Sequence, residues 1–538
     1  MKKLLVLLLC CCLLLPCFGN AEETGGDIVL LFTNDVHCGV DDAIGYAGLA
    51  AYKNHLEAEG FPVVLIDAGD AVQGAVIGTL SSGTYLIDLM NAVGYDLAVP
   101  GNHEFDYGMD QFFALTEQAE FPYISCNFTD LRTGEPVFNG YLMMEVGGAK
   151  IAFVGICTPK TITSSTPAYF QDENGEFIYG FQQDEDGTAL YTVVQETVDA
   201  ARAEGADYVI AVGHLGIDET CTPWTSSEVI AATSGIDAFI DGHSHSVVGE
   251  KMLNKDGETV VLAQTGTKLE SIGQMTICAD GTIESCLVSN YTGKDAEVEA
   301  LVEEIRAENE ELLQQVVAKT DVDLTTVDPD SGERLIRNEE TNLGDLCADA
   351  YQAVSGADVA FVNGGGIRAD IPAGDITYEQ VIAVHPYGNM LTVVEATGQQ
   401  ILDCLEFGVS AWPAEFGGFQ QVAGLTFEIH TYIESSVTTD ENGMFTGVDG
   451  DYRVQNVMVN GEALDLEKTY TVASHNYMLK QGGDGFTMFQ GDNILQDEVM
   501  IDNQVLITYI RDILGGTVGE AYSDLFGQGR ITFVTEQP

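Results

Sequence analysis

Residues 97–106, Leu-Ala-Val-Pro-Gly-Asn-His-Glu-Phe-Asp, carry the pattern on which the fold depends. The apolar run 97–99 is typical of a buried strand, and it leads after Pro100 into a loop with an amide, an imidazole and two carboxylates. Four other stretches repeat this arrangement of a short apolar run followed at once by polar residues. They are Ile28–Phe32 before 33-TNDVH-37, Val63–Ile66 before 67-DAGD-70, Tyr208–Val212 before 213-GH-214, and Ala238–Ile240 before 241-DGHSH-245.

Continuous apolar runs of this kind suit strands that are buried on both faces of a parallel sheet. Ligands of such sheets bind at the carboxyl ends of the strands, so the sequence predicts an α/β domain in which the five loops meet. Five of the nine histidines of the chain lie in these loops: His37, His103, His214, His243 and His245. A turn or capping role explains a single residue of this kind, but it does not explain the whole set.

The candidate ligands of these loops are imidazoles, carboxylates and one amide, with no thiolate. This set suits Mn, Zn, Fe or Co better than Mg or Ca. There are more candidates than one tetrahedral ion can use. The surplus predicts two divalent ions that share a carboxylate, which is the usual arrangement for hydrolysis of phosphate esters.

The composition excludes several classes of protein. A chain of 538 residues with 45% hydrophobic residues fills two or three globular domains. The chain has 21 Lys and Arg against 84 Asp and Glu, a net charge of -63, which disfavours nucleic-acid polymers and anionic lipid as partners. No CxxC pair occurs, so a thiolate metal site is not predicted.

The beginning of the chain resembles an export signal. Lys2 and Lys3 precede the apolar run 4–15, and residues 19–21 are small enough for cleavage after residue 21. The run is shorter than the roughly 20 residues that a membrane span needs. We therefore expect residues 1–21 to be a signal peptide, and the protein to be periplasmic, extracellular or associated with the cell surface, without a transmembrane anchor.

The middle of the chain suggests where the domains divide. Apolar residues recur at helical spacing from 295 to 319, with Glu on the opposite face. We interpret 295–319 as a linker helix between an N-terminal domain, 22–294, and a C-terminal domain, 320–538. The polar, glycine-containing segment 433–450 predicts a surface hairpin.

The second half contains one stretch that indicates phosphate binding. Residues 360–368, Ala-Phe-Val-Asn-Gly-Gly-Gly-Ile-Arg, predict a strand followed by a glycine loop and an arginine. Glycines let the backbone approach a ligand closely, and Arg368 presents a planar fork that matches phosphate oxygens. The spacings of a P-loop and of a dinucleotide fingerprint are both absent from this stretch.

The five loops together resemble those of the calcineurin-like metallophosphatases. The motifs 101-GNHEFD-106 and 242-GHSH-245 are most similar to the 5'-nucleotidase branch, which includes bacterial UDP-sugar hydrolases. The resemblance continues through 341-TNLGDL-346, 418-GFQQVAG-424 and 482-GGDGF-486. It implies a four-layer α/β/β/α metallophosphatase domain, a linker helix and a smaller α/β nucleotide-binding domain. It also implies a secreted two-metal enzyme that hydrolyses nucleoside 5'-phosphates, with nucleotide diphosphates or UDP-sugars as further candidate substrates.

The resemblance also implies roles for individual residues. The first ion would be bound by Asp35, His37 and His245, the second by Asn102, His214 and His243, and Asp70 would bridge the two. His103, oriented by Asp106, would stabilise charge that develops on the phosphoryl group. In the C-terminal domain, Arg337, Asn363 and Arg368 would hold the phosphate, Phe419 would stack on the base, and Asp484 would contact the ribose hydroxyls.

The chain departs from the family pattern at one substrate position. The family has a second aromatic residue six positions before the Asp of Gly-Gly-Asp-Gly, and here that position is Met478, with Tyr477 beside it. Either the base lies between Phe419 and the thioether, or Tyr477 replaces the missing ring.

Two other functions are open at this point. A 2',3'-cyclic nucleotide 2'-phosphodiesterase with 3'-nucleotidase activity shares the N-terminal motifs, although the loop 363–368 and Asp484 favour the 5' substrate. A surface protein that captures nucleotides without catalysis is the other alternative, and the intact ligand set argues against it. Because the metal ligands and the arginines lie in different domains, we expect the active site between the domains, with rotation opening and closing it.

Overall fold

The fold is described from a computed structural model that covers residues 26–41, 43–172, 174–218, 221–497 and 499–536. The predicted signal peptide, residues 1–21, lies outside the described residues and stays a prediction. Within the described part of the chain, no helix is both long and apolar enough to cross a membrane.

The N-terminal domain is built on two sheets that face one another. In spatial order, the first sheet contains Ile283–Val288, Ile272–Ile277, Ile28–Thr33, Val63–Asp67 and Leu97–Ala98. The second contains Val247–Leu253, Thr259–Thr265, Ala238–Ile240, Tyr208–His214, Ala149–Cys157 and Tyr141–Val146. A core of branched side chains, among them Leu30, Ile66, Phe153 and Ile210, fills the space between them.

Helices cover the outer face of each sheet and complete the four predicted layers. On the first sheet they are Gly45–Ala58, Val76–Ser81, Thr84–Val93 and Met109–Gln118, and on the second they are Thr188–Glu204 and Ser226–Ala232. A short helix, Thr161–Ser164, and a small sheet of Glu135–Pro136, Thr129–Asp130 and Tyr179–Gly180 lie at the periphery. The prediction of an α/β/β/α domain is confirmed.

The helix that follows the N-terminal domain is shorter than predicted. It spans Ala296–Leu313 and begins at Asp295, whose carboxylate accepts hydrogen bonds from the amides of Glu297 and Val298. The prediction of helix to residue 319 is wrong, because Val316–Thr320 forms a strand that pairs with Gly374–Thr377 and Thr517–Val518. Adjacent β-branched valines favour this extended pairing over a further helical turn.

The C-terminal domain has a mixed five-stranded sheet at its centre. In spatial order its strands are Gln420–Ala423, Val359–Asn363, Thr469–His475, Leu391–Thr397 and Asn493–Gln496. A second sheet contains Glu462–Ala463, Val454–Val459, Leu425–His430 and Ile531–Val534. The helices are Asn342–Ser355, Tyr378–Val384, Gly398–Gly408, Asn476–Leu479 and Asp502–Thr508.

The predicted surface hairpin is present in this domain. Val437–Thr439 and Phe445–Val448 pair as an antiparallel two-stranded sheet. Two hydrophobic cores lie on opposite faces of the central sheet, one under Asn342–Ser355 and the other between Gly398–Gly408 and the second sheet. The overall α/β architecture of two domains agrees with the prediction.

Candidate active site

The five polar loops of the N-terminal domain meet at one place. Three of them follow the parallel strands that end at Thr33, Asp67 and Ala98 in the first sheet. The other two follow the parallel strands that end at His214 and Ile240 in the second sheet. Because the carboxyl ends of these strands lie at the same edge of both sheets, the loops face each other across it.

One group of candidate ligands contains Asp35, His37 and His245. Their ligand atoms lie within 4.8 Å of one another. The Nε2 atoms of His37 and His245 are 3.0 Å apart, and those atoms lie 3.9 and 3.5 Å from Asp35 Oδ1. His37 donates its Nδ1 hydrogen to the carbonyl oxygen of Gln73 at 2.9 Å, which leaves the Nε2 lone pair directed into the group.

A second group contains Asp70, His214 and His243. Asp70 Oδ2 lies 3.0 Å from His214 Nε2 and 3.8 Å from His37 Nε2, so this one oxygen faces both groups. Its other oxygen, Oδ1, accepts a hydrogen bond from the amide of His103 at 2.8 Å. The carboxylate of Asp70 therefore lies between the two groups, as the bridging role predicted from the family requires.

The nitrogen and oxygen atoms that the second group directs inward are suited to bind a cation. His214 donates its Nδ1 hydrogen to the carbonyl of Ala68 at 2.7 Å, which leaves its buried Nε2 directed at the carboxylate of Asp70. Within the described residues, neither that Nε2 nor the buried Asn102 Oδ1 has a hydrogen-bond partner. Buried acceptors that face one another are costly unless a cation lies among them.

The backbone of these loops is bent to aim the side chains inward. Asp35, His37, Asp70, His243 and His245 all have positive φ, between 43° and 79°, a conformation that residues other than glycine rarely adopt. Such strain persists only where the surrounding structure imposes it, and it is concentrated at functional sites. A Cβ on Gly242 would lie 2.9 Å from His214 Nδ1 and 3.0 Å from Asp35 Oδ2, so glycine is required there.

The pKa values of the two candidate ligand carboxylates, Asp35 and Asp70, shift in opposite directions. Burial raises the pKa of Asp35 to about 7. Burial also acts on Asp70, but the imidazoles of His214, His103 and His37 outweigh it and hold the pKa of Asp70 well below its ordinary value. Divalent cations would stabilise the charged form of both carboxylates, because opposite charge at short range offsets the cost of burial.

His103 forms a third group of possible ligands with His37 and Asp70, and it is held by another carboxylate. Its Nδ1 is 2.5 Å from Asp106 Oδ2, while Asp106 Oδ1 accepts a hydrogen bond from Ser165 Oγ at 3.0 Å. Burial lowers the pKa of His103, but Asp106 and Asp70 outweigh burial and raise it above 6.5. The orientation of His103 by Asp106 agrees with the sequence-based prediction, and the imidazole is a candidate cation at neutral pH.

Glu104 is a residue whose importance the sequence-based prediction missed. Its buried carboxylate accepts hydrogen bonds from the amides of Asp70, Ala71 and Gly101 at 2.8, 2.8 and 2.6 Å. It therefore ties the loop of Asp70 to the loop of Asn102. The signal that could have identified Glu104 is its place in the motif 101-GNHEFD-106, where it is the one charged residue without a predicted role.

The two groups of candidate ligands border a cavity of about 710 Å³ that both domains line. The N-terminal domain contributes Asp70, Asn102, His103, His243 and His245, and the C-terminal domain contributes Arg337, Asn363, Arg368, Tyr387 and Asp484. The structure therefore brings four of the seven predicted metal ligands into one space between the domains with the predicted phosphate-binding residues.

The two cleft arginines have no acidic partner among the described residues. Arg337 and Arg368 are half-buried, and neither forms an ion pair or a side-chain hydrogen bond there. Burial, with Arg334 and Arg368 nearby, lowers the pKa of Arg337 to about 9, which still leaves its guanidinium charged at neutral pH. In a chain with 84 acidic residues, two unpaired arginines in one cavity indicate an anion-binding site.

Asn363 and Asp484 are joined by a chain of hydrogen bonds that starts at His475. The His475 Nδ1 accepts from the amide of Met478 at 3.3 Å, so its Nε2 carries the hydrogen and donates to Asn363 Oδ1 at 2.9 Å. Asn363 Nδ2 in turn donates to Asp484 Oδ2 at 2.6 Å. The amide orientation of Asn363 is thus fixed, and His475 is a second residue that the sequence-based prediction left without a role.

The predicted base-binding residues are not in the cavity. Phe419 is 1% exposed and Met478 is fully buried, and both pack in the hydrophobic core under the central sheet. The predictions for Phe419 and Met478 are therefore wrong, because both side chains complete that core. Phe416 and Tyr477, three and one positions earlier in the chain, do line the cavity, together with Tyr169 and Tyr387.

Tyr387 is a third residue that sequence reasoning missed. Its ring stacks on the imidazole of His103 with centroids 6.0 Å apart, and the guanidinium of Arg368 lies 6.0 Å from the same ring. The neighbouring Pro386 carbonyl accepts a hydrogen bond from Thr79 Oγ1 of the N-terminal domain. Nothing in the sequence distinguishes this tyrosine from a core aromatic, since its role depends on the contact between the domains.

Comparisons with known proteins identify both halves of the chain. Residues 28–247 match the family model for calcineurin-like phosphoesterases, and residues 316–491 match the model for the 5'-nucleotidase C-terminal domain. The trifunctional nucleotide phosphoesterase protein YfkN of Bacillus subtilis is 29% identical over 90% of this chain, which spans 34% of that protein's length.

Other relatives match over nearly their whole length. The 5'-nucleotidase of Vibrio vulnificus is 27% identical over 91% of both chains, and protein UshA of Escherichia coli is 29% identical over 90% of both. The crystal structure of a 5'-nucleotidase precursor from Thermus thermophilus superposes with a TM-score of 0.77 at 26% identity, covering 95% of this chain and all of that one.

Proposed function

The chain belongs to the family in which a calcineurin-like phosphoesterase domain precedes a 5'-nucleotidase C-terminal domain, and on that premise we propose that it hydrolyses nucleoside 5'-phosphates to nucleoside and phosphate. The observation that carries this proposal is the single cavity of about 710 Å³ that holds both the imidazole–carboxylate clusters and two unpaired arginines. Its size suits a nucleotide, and its charges suit a phosphate between cations.

The family acts with divalent metals, and the residues present fit two ions. Asp35, His37 and His245 would hold the first, Asn102, His214 and His243 the second, and Asp70 both. Mn, Zn, Co or Fe suits these nitrogen and oxygen ligands. When bound, such ions act as Lewis acids on the phosphoryl oxygens and lower the pKa of water towards neutrality.

The protein side chains would supply positioning and charge. Arg337 and Arg368 would hold the phosphate oxygens from the side of the C-terminal domain, with Asn363 oriented toward the same space. His103, kept cationic by Asp106, would stabilise the negative charge that develops as the ester bond breaks.

The nucleoside would be bound by the C-terminal domain. Asp484 would accept hydrogen bonds from the ribose hydroxyls. The base would lie between Phe416 and Tyr477, which line the cavity in place of Phe419 and Met478. Stacking between rings tolerates every base, so we expect broad rather than strict base preference.

We also propose that the protein acts outside the cytoplasm. The support is the export-like composition of residues 1–21. Fusing residues 1–30 to a reporter enzyme without its own signal tests this: export of the reporter is expected, and retention in the cytoplasm would contradict it.

A second candidate function is cleavage of cyclic or 3' nucleotides. It is favoured by the 29% identity to a relative whose name describes a trifunctional nucleotide phosphoesterase. UDP-sugars and nucleotide diphosphates are further candidate substrates, because residues of the segment 160–169 of the N-terminal domain also line the cavity.

One experiment separates these activities. The purified protein is stripped of metal, given Mn, Zn, Co, Fe, Mg or Ca singly, and assayed with 5'-AMP, 3'-AMP, 2',3'-cyclic AMP and UDP-glucose. We expect metal-dependent phosphate release from 5'-AMP above 3'-AMP. Preference for the cyclic and 3' substrates would favour the second candidate, and binding without turnover under every metal would favour a nucleotide-capturing protein.

A further inference from the structure

The hairpin 437–448, called the strap below, does not end in open solvent. Its tip, residues 440–444, reaches the N-terminal domain, where Asn442 Oδ1 accepts a hydrogen bond from Gln183 Nε2 at 2.7 Å. A Cβ on Gly443 would lie 3.5 Å from Thr163 Cγ2, so the tip also lies close to the short helix at the edge of the cavity. The strap is thus a direct contact between the domains.

The other side of the tip packs on the loop that carries Asp484. A Cβ on Gly485 would lie 2.6 Å from the carbonyl oxygen of Gly443, and a Cβ on Gly482 would lie 2.8 Å from Met444 Cε. The hydroxyl of Thr487 donates to the carbonyl of Phe445 at 2.6 Å. The tip and the loop 482–487 are therefore closely packed against each other, so a displacement of one is expected to displace the other.

The same assembly reaches the N-terminal domain a second time through Tyr477. The Tyr477 hydroxyl donates to the carbonyl of Thr163 at 3.3 Å and lies 3.2 Å from Asp484 Oδ1, and it accepts from the amide of Asp484 at 3.0 Å. Tyr477, Asp484 and the strap therefore form one body that contacts the segment around Thr163.

The tip itself is held in a fixed shape. The carboxylate of Asp440 accepts hydrogen bonds from the amides of Asn442 and Met444 at 2.9 and 2.8 Å, and Gly443 has a φ of 77°. Phe445, at the base of the tip, is buried against Phe407. A contact made by such a preorganised turn costs little conformational entropy when it forms.

We propose that the strap is a positioning element that couples the substrate-binding loop of Asp484 and Tyr477 to the metal-binding domain, with Asn442 as its positioning residue. The kinetic test of this inference rests on the proposed function, because it measures hydrolysis of 5'-AMP. Because the Gln183–Asn442 contact joins the two domains directly, it stabilises the arrangement in which the arginines face the metal ligands. Asn442 does not line the cavity, so it would act on the reaction only through this arrangement.

A double-mutant cycle tests the coupling. Gln183→Ala and Asn442→Ala should each lower kcat/KM for 5'-AMP about three- to tenfold, as loss of one half-buried hydrogen bond predicts. The double variant should be no less active than Gln183→Ala alone, because that substitution already removes the contact with Asn442 together with the hydrogen bond from the amide of Phe181. Asn442→Asp keeps an acceptor for Gln183 and should restore activity to near the wild-type value.

The matched control is Thr446→Ala, on the exposed edge of the same hairpin, which should leave kcat/KM unchanged. Melting temperatures establish that all variants are folded. Full additivity of the two alanine substitutions, or unchanged kcat/KM in Asn442→Ala, would overturn the proposal.

A second measurement does not depend on activity. Hydrogen–deuterium exchange by mass spectrometry compares the wild type with Gln183→Ala. We expect faster exchange in the peptide that covers 482–487, although the substitution is in the other domain. Faster exchange confined to 181–185 and 440–444 would overturn the coupling. A protein that hydrolyses none of the nucleotides would refute the proposed function and leave this test of the strap intact.

Discussion

The two sides of the cleft hold their functional side chains by different means. On the metal side, His37 and His214 are fixed by hydrogen bonds to backbone carbonyls, and the loops are bent into left-handed conformations. On the substrate side, Asn363 and Asp484 are fixed by each other and by His475. A substitution on the metal side should therefore remove one ligand and leave its neighbours in place, whereas one on the substrate side should disturb several side chains.

The two sides also differ in charge. The metal side gathers carboxylates and imidazole lone pairs that require cations, and the substrate side presents two arginines that require an anion. Each side is electrostatically incomplete by itself. Two divalent ions and a phosphate would complete both, which explains why the site has to be assembled from two domains.

The largest effect is expected from Asp70→Asn, because Asp70 faces both ligand groups. We expect bound metal to fall and kcat to fall by at least about a thousandfold, since both the metal and a preorganised charge are affected. Metal content by elemental analysis and phosphate release measure the two effects. Asp67→Asn is the matched control, because Asp67 is a buried carboxylate outside both groups that accepts from Thr33 Oγ1. Full metal content in Asp70→Asn would contradict the proposal that Asp70 is a ligand of both ions.

His103→Ala is expected to have the next largest effect. Loss of one preorganised cationic partner should lower kcat about a hundredfold. Metal content should stay unchanged, since the two proposed ligand sets do not include His103 and Asp106 orients its imidazole. Asp106→Asn should cost less, about tenfold, because it only orients the imidazole. If His103→Ala loses metal, His103 belongs among the ligands and the two groups were divided wrongly.

The pair Phe416→Ala and Phe419→Ala sharpens the comparison on the substrate side. Phe416→Ala should raise KM for 5'-AMP about tenfold, because base stacking contributes about 1–3 kcal/mol. Phe419→Ala should instead lower the free energy of unfolding by about 3–5 kcal/mol, because its ring is buried in the core. KM and denaturant unfolding distinguish them, and a reversed pattern would restore the base-stacking role first predicted for Phe419.

His475→Phe tests whether the substrate side is held by side chains. The substitution keeps a ring in the core but removes the donor to Asn363 Oδ1. We expect KM to rise about fivefold, as loss of one buried hydrogen bond predicts, with kcat little changed. A fall in kcat at constant KM would instead place Asn363 in the chemical step.

Salt should produce the smallest effect. The surface charge of -63 repels an anionic substrate at long range, whereas the cleft attracts it at short range. At physiological salt the Debye length is about 8 Å, so the long-range repulsion is screened more than the short-range attraction in the cleft. We expect kcat/KM for 5'-AMP to rise by up to about twofold between low and physiological salt. A steep fall would show that long-range attraction by the cleft prevails.

The structure brings together the candidate ligands that the sequence indicated, whereas it buries two of the predicted substrate residues. Imidazoles and carboxylates that directly follow buried strands are a specific pattern, and few other roles place five histidines there. Aromatic rings serve both cores and stacking, so Phe419 and Phe416 cannot be distinguished without the packing that buries one and exposes the other. Tyr387 contacts His103 and Asn442 contacts Gln183 across the domain boundary, and no local sequence pattern predicts such contacts.

The predicted linker helix also shows that contacts between distant residues cannot be inferred from a local sequence pattern. Helical periodicity correctly placed the helix up to Leu313, but the valines that follow it continue the same apolar spacing. Only the pairing of Val316–Thr320 with two distant strands assigns those residues to a sheet. Long-range pairing of this kind overrides local preference, which is why the boundary was misplaced.

The helix Ala296–Leu313 has a practical consequence for dissecting the protein. Val298, Val302 and Ile305 are buried in the N-terminal core, and Glu308 accepts a hydrogen bond from Tyr85, so the helix is a part of the N-terminal body. A separately expressed fragment that stopped before this helix would leave an apolar surface uncovered and prone to aggregation. The natural place to cut the polypeptide is after Gln314, where the helix ends and the next strand has not yet begun.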